Sequence, residues 1–217
     1  MPSYRQVLET AERWREMPAI ERVPSGVALT FDDGPDAEWT PPVLDALDAA
    51  GVKATFFLVG EQLMRNHAVA REAAARGHEL ALHGFEHVEH AELRPQAARD
   101  DIARALGAFE AATGQRPRFF RPPYGRFSEA SYDACRHLGL EPVYWTAWGM
   151  DWEPIPSDRI VDLVTRDLAD GAILLLHDST RYAHRPGCGP TVEAIAAIAA
   201  RAGELGLRID PLRDLLP

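Results

Sequence analysis

The sequence predicts an α/β fold, an incomplete or distorted (β/α) barrel with about seven parallel strands. Three observations point there. Short apolar runs alternate with helical patterns from residue 26 onward, and strands that alternate with helices build a parallel sheet. Seven such units follow one another in roughly 190 residues, one unit short of the eight-unit barrel and below its usual length of about 250 residues. The chemistry-bearing residues fall just after the apolar runs, where the strands of a parallel barrel open onto one face. An open doubly wound sheet is the alternative arrangement of the same units.

The strands are expected at 27–31, 54–59, 79–83, 119–121, 142–146, 172–177 and 207–209. The helices are expected at roughly 40–50, 61–76, 95–113, 128–138, 157–170 and 190–205. Each carries apolar residues three and four apart, as at Ile195, Ile198 and Ala199. Ser128 and Ser157 supply N-terminal cap signals, and Gly51 and Gly114 follow helical runs where a left-handed closing residue is wanted. The opening MPSYRQVLETAERWREM reads as a charged amphipathic helix, so residues 1–25 are expected to form an N-terminal helical extension and residues 26–217 the catalytic barrel.

A net charge of -10 and a pI near 5.3 repel phosphate backbones, which excludes nucleic acid as a natural partner. Cys135 and Cys188 have no CxxC neighbour and read as unpaired thiols. The longest apolar run, 172–176, is far too short to span a membrane. No apolar signal segment opens the sequence, so a cytoplasmic location is the default expectation, or an extracellular one if the natural chain is longer. The oligomeric state is not legible.

Five motifs carry the chemistry. In TFDDGP, Asp32 and Asp33 point different ways because strand side chains alternate, so one carboxylate can bind a metal while the other stays free as a base. In HGFEH, His83 and His87 have the spacing that lets two imidazoles face one ion; His90 is a competitor, and Glu86 and Glu89 read as solvated. Two His and one carboxylate make an open metal site with positions left for water and substrate. In RPPYG, Arg121 can keep a carboxylate such as Asp32 ionised, and the Tyr124 N–H can face a developing oxyanion. Asp151 beside His177 of LLLHD would raise the imidazole pKa and make a general acid, with Trp152 as an apolar wall. Taken singly, each residue has a bland reading of equal weight: an Asp-rich turn, a surface Arg, a loop ion pair or a core Trp.

In this order the motifs resemble the polysaccharide deacetylases of carbohydrate esterase family four, the group that shares the chitooligosaccharide deacetylase homology domain. The resemblance covers roughly residues 26–212. It implies a distorted barrel and a role for each matched residue. Asp32 is then the catalytic base and Asp33, His83 and His87 the metal ligands. Arg121 fixes the base, and Tyr124 contributes its backbone N–H to the oxyanion. Asp151 partners His177, the general acid, while Trp152 and Leu175 wall the acetyl pocket. Two positions depart from the family pattern. Gly84 stands where a Ser or Thr usually steadies the ligand loop, and Trp148 stands where an Asp often opens the fourth motif.

The function so implied is metal-dependent removal of acetyl groups from N- or O-acetylated sugars. Zinc is the first choice of metal, with cobalt, nickel, iron or manganese suited to the same ligands. The partner is an acetylated saccharide, and Trp39, Trp148 and Trp152 are expected on loops near the open face, where aromatic rings pack against sugars. The runner-up is a hydrolase of small cyclic or linear amides on the same fold. An iron oxygenase shares the ligand set but has no use for the base, its holder and the acid. A non-catalytic carbohydrate-binding module is disfavoured because every expected catalytic position is filled.

Overall fold

A computed structural model describes residues 17–217. Its strands are β1 (Val27–Asp32), β2 (Thr55–Leu58), β3 (Glu79–Leu82), β4 (Phe119–Phe120), β5 (Glu141–Pro142), β6 (Ala147–Trp148) and β7 (Ala172–His177). They form one parallel sheet in the order β5-β4-β3-β2-β1-β7-β6. The sheet curls into an incomplete (β/α) barrel, and the open doubly wound alternative falls. The helices between the strands are α1 (Thr40–Ala50), α2 (Gly60–Ala75), α3 (Pro95–Thr113), α4 (Glu129–His137), α5 (Ser157–Thr165) and α6 (Gly189–Glu204); a short α7 (Leu212–Leu215) follows.

The strands read as near-continuous apolar runs because both faces are covered, by helices outside and by the barrel core inside. Every residue of β1 and β2 is buried. Phe31 and Phe56, neighbours across these strands, stack with ring centroids 5.2 Å apart. Truncating such a ring to Ala typically costs about 3–5 kcal/mol. Helix ends follow local chemistry. Gly51 and Gly114 close α1 and α3 in the left-handed conformation, and Ser128 caps α4 in a capping box with Ser131. Ser157 does not cap: it is the first residue of α5, and Pro156 precedes it. That helix stops at Thr165 rather than 170, and Asp170 accepts the Gly26 N–H at 2.6 Å instead.

Two expected strands change. The run at 142–146 is not one strand. Its start, Glu141–Pro142, pairs with β4, and the residues just after its end, Ala147–Trp148, pair with β7 at the opposite edge of the sheet. One stretch of chain thus supplies both edges. The run at 207–209 is reduced to a single bridge, Ile209 to Val27. The helix expected over residues 1–17 of the N-terminal extension lies, but for Met17, outside the described residues. Residues 17–25 run along the seam. Ile20 donates its N–H to the Pro142 carbonyl at 2.8 Å and accepts the Tyr144 N–H at 2.8 Å, while the Val23 N–H reaches the Gly171 carbonyl at 3.0 Å. Among the described residues, no helix is long and apolar enough to cross a membrane. Both cysteines are free and buried.

Candidate active site

The strand ends set the site. Asp32 is the last residue of β1 and His177 the last of β7, and the two are register partners. Thr30 and Leu175 are partners two residues earlier, so all four side chains share the inner face of the barrel. Asp33 leaves β1 with φ +80°, and its carboxylate, like that of Asp32, comes within 3.7 Å of His83 Nε2. The following Gly34–Pro35 peptide is cis. His83 follows β3, His87 lies in the next loop, Arg121 follows β4, and Tyr124 sits in a 3₁₀ turn at Pro123–Gly125. Asp151 comes after β6, not directly after the fifth strand.

Asp33, His83 and His87 each offer one donor atom, and the three lie within 4.8 Å of one another. His87 Nε2 is 3.1 Å and His83 Nε2 3.6 Å from Asp33 Oδ1. Ligands held about 2.0–2.2 Å from a common ion are separated by roughly such distances. The Asp33 Oδ1 atom is buried and accepts no hydrogen bond, which is expensive unless a cation completes it. Burial would raise the Asp33 pKa, but His87, with His177 and His83, outweighs it and holds the carboxyl well below the usual range. The His83 Nδ1–H donates to the Arg121 carbonyl at 2.8 Å, which leaves the Nε2 lone pair facing the cluster. Burial, more than any other influence, pushes His83 down to about 4, the neutral form a metal requires. These residues fit a divalent cation. His90 does not compete: it is fully buried and bonds Asp101 at 3.0 Å.

The base position is held rigidly. Arg121, fully buried, donates to Asp32 Oδ1 at 2.7 Å, to Thr30 Oγ1 at 2.9 Å and to the Tyr144 carbonyl at 3.0 Å. Its guanidinium lies 4.0 Å above the Phe57 ring. One Asp32 oxygen is thereby occupied. The other, Oδ2, points toward the cluster, 3.7 Å from His83 Nε2.

The acid position is built the same way. His177 Nδ1–H donates to Asp151 Oδ1 at 2.8 Å, and the His177 backbone N–H donates to Asp151 Oδ2 at 3.0 Å. Burial works against the imidazolium, but Asp151, aided by Asp33 and Asp32, outweighs it and pushes His177 up to about 9. Trp152 meets His177 edge to face at 5.5 Å. Trp148 lies behind Trp152 at 5.3 Å, buried in β6 rather than on a loop, so it lines the core and is no open sugar platform. Leu175 is buried on the inner face as expected of a pocket wall. Tyr124 keeps an exposed side chain with φ +59°, and its ring lies 4.6 Å from that of His87.

Several further residues surround the site, and of these only Asp178, in LLLHD, falls within a motif. Arg185 and Thr191 both donate to Asp151 Oδ2, at 3.0 and 2.8 Å. Tyr182 stacks on His87 at 4.2 Å and is tied to Glu61 and Gln62 at the start of α2. Asp178 turns under the first motif, accepts from Thr40 at 2.5 Å, and leaves no room for a Cβ at Gly34; burial pushes its carboxyl up to about 7. A cavity of about 450 Å³ adjoins Asp151 and Arg185, lined by Trp39, Ile155, Pro154 and Pro190.

Comparison with known proteins follows the same lines. Residues 20–143 match the family model described as polysaccharide deacetylase. A chitooligosaccharide deacetylase of a Bradyrhizobium strain is 34% identical over 196 residues, 87% of this chain and 90% of that one. A peptidoglycan-N-acetylglucosamine deacetylase of Bacillus cereus is 34% identical over 189 residues, 87% of this chain and 67% of that protein. A pseudoenzyme of carbohydrate esterase family four from Bacillus anthracis superposes with a TM-score of 0.80 at 28% identity, covering 88% of this chain and 65% of that chain. The same architecture thus carries both deacetylases and a pseudoenzyme, so catalytic competence depends on the side chains at the site.

Proposed function

Because the chain belongs to the polysaccharide deacetylase family, carbohydrate esterase family four, we propose that it is a metal-dependent hydrolase that releases acetate from N-acetylglucosamine-containing saccharides. One observation carries the reading: an Arg-held carboxylate, a carboxylate-backed imidazole and a three-donor metal cluster converge on one face of the barrel. When bound by Asp33, His83 and His87, a divalent cation, zinc first, supplies Lewis-acid activation of the acyl carbonyl and of water. Asp32 Oδ2 takes the proton from the attacking water, while Arg121 holds Asp32 fixed in direction. His177 delivers a proton to the leaving nitrogen, which is too basic to depart as an anion. The Tyr124 N–H is assigned to the developing oxyanion. Trp152 and Leu175 close the acetyl pocket, and the half-buried Trp39 beside Ile155 and the prolines offers an apolar wall to a sugar ring.

The test is acetate release from short N-acetylglucosamine oligomers and acetylated xylose units by metal-stripped protein reloaded with zinc, cobalt, nickel or manganese. Asp32→Asn should retain metal and lose rate by ~10²-fold or more. Asp33→Ala, His83→Ala and His87→Ala should each lose metal. Hydrolysis of a cyclic imide without acetate release would move the chain to small amides. Metal uptake with no hydrolysis of any of these would place it with the pseudoenzymes.

A further inference from the structure

The ligand loop 84–87 has no hydroxyl after His83, yet its peptide groups around Phe85 are held from two sides. On one side the start of α2 donates into it: the Gly60 N–H reaches the Gly84 carbonyl at 2.9 Å and the Glu61 N–H the Phe85 carbonyl at 3.0 Å. On the other side stands Asp101, from the middle of α3. Its Oδ2 accepts the Phe85 N–H at 2.9 Å and its Oδ1 the Glu86 N–H at 3.0 Å. Oδ2 also accepts from His90 Nε2 at 3.0 Å, which closes the far end of the loop. Asp101 is 7% exposed and His90 fully buried. Two consecutive peptide units, 84–85 and 85–86, are thereby gripped from both sides by two helices, and His87 is the next residue.

The same contact accounts for the glycine. Gly84 has φ +80°, and a Cβ there would lie 3.0 Å from Asp101 Oδ2 and 3.2 Å from the Glu86 carbonyl oxygen. A Ser or Thr is disfavoured both by its backbone conformation and by the carboxylate already in place.

We propose that Asp101 is the positioning residue of the metal site: a carboxylate donated by α3 replaces the missing hydroxyl and holds the loop that aims His87. The proposal rests on the metal reading of Asp33, His83 and His87. Buried partners that orient a ligand are worth about 10–100-fold in metal affinity. Asp101→Ala leaves two loop N–H groups without an acceptor and frees His90, so His87 loses its fixed direction while the three ligands remain present.

The test is a competition titration of Zn²⁺ against a chromophoric chelator, on metal-stripped full-length chain, with Co²⁺ absorption spectra of the same samples. Asp101→Ala should bind Zn²⁺ about 10–100-fold more weakly and change the Co²⁺ ligand-field bands. Asp101→Asn, which keeps one acceptor oxygen, should fall between it and the wild type. A residue that served only the fold would lower the metal-free melting temperature and leave the affinity of the folded protein unchanged. Unchanged affinity in Asp101→Ala, or in Asp101→Asn should the alanine variant not fold, overturns the proposal. If wild-type protein takes up no Zn²⁺, the metal reading itself fails and the proposal with it.

Discussion

At the scale of single residues, His177 is the group whose environment does most. Its pKa stands near 9 because Asp151 outweighs burial. A group raised in this way lends stability in full below its unfolded pKa of about 6.5 and loses it as pH rises through about 9. The acid role follows the same proton, so turnover should fall on the alkaline side as the imidazolium deprotonates. Asp151→Asn removes the charge and keeps the burial, and the alkaline limb of kcat should move to lower pH. A pH–rate profile checks this; an unmoved limb assigns it to another group. Most of these site residues were legible in the sequence, because Asp, His and Arg at the ends of apolar runs are costly to place there without a purpose. Asp101 and Tyr182 were not legible. A carboxylate in mid-helix or a tyrosine in a polar loop looks like ordinary surface until the chain folds back on itself.

At the scale of elements, the segment between β7 and α6 serves the site most. From it Tyr182 covers His87, and Arg185 enters the interior. Arg185 donates to Asp151, to Thr191 and to the His177 carbonyl, the last at 2.8 Å. It therefore fixes the face of Asp151 that His177 Nδ1 does not use. Replacing Arg185 with Met leaves a buried carboxylate with one charged partner fewer, a loss of about 3–5 kcal/mol. Urea unfolding should register that loss, and kcat should fall with it; a shift below ~1 kcal/mol would reduce Arg185 to a bystander. Sequence periodicity could not foresee this segment, which has none. It also placed a strand at 142–146, between the observed β5 and β6, because that stretch is apolar: Val143, Tyr144 and Trp145 are all buried.

At the scale of the whole molecule, the barrel is not closed by a continuous ladder. The two sheet edges are consecutive pieces of one segment; Ile20 pairs alongside the β5 edge and Val23 bonds Gly171 just before β7. Ile20→Pro deletes the N–H that meets Pro142, a loss of at least ~1 kcal/mol. The melting temperature should drop by about 2–4 °C per kcal/mol in a chain of this size, with kcat/KM unchanged. An unaltered melting temperature would mean the seam holds without that residue. The other molecule-wide feature is where the backbone is unfavourable. Asp33, Tyr124 and Met150, all non-glycine, have φ of +80°, +59° and +51°, and all three stand on the rim where the strands open. Each such residue costs roughly 1–2 kcal/mol, which glycine would largely remove. Laboratory evolution for heat resistance alone would therefore be drawn to this rim. At Met150 it would gain melting temperature without deleting any assigned group; at Asp33 the same step would erase a ligand. A library screened for survival at high temperature, without a turnover screen beside it, should drift toward variants that are sturdier and inert.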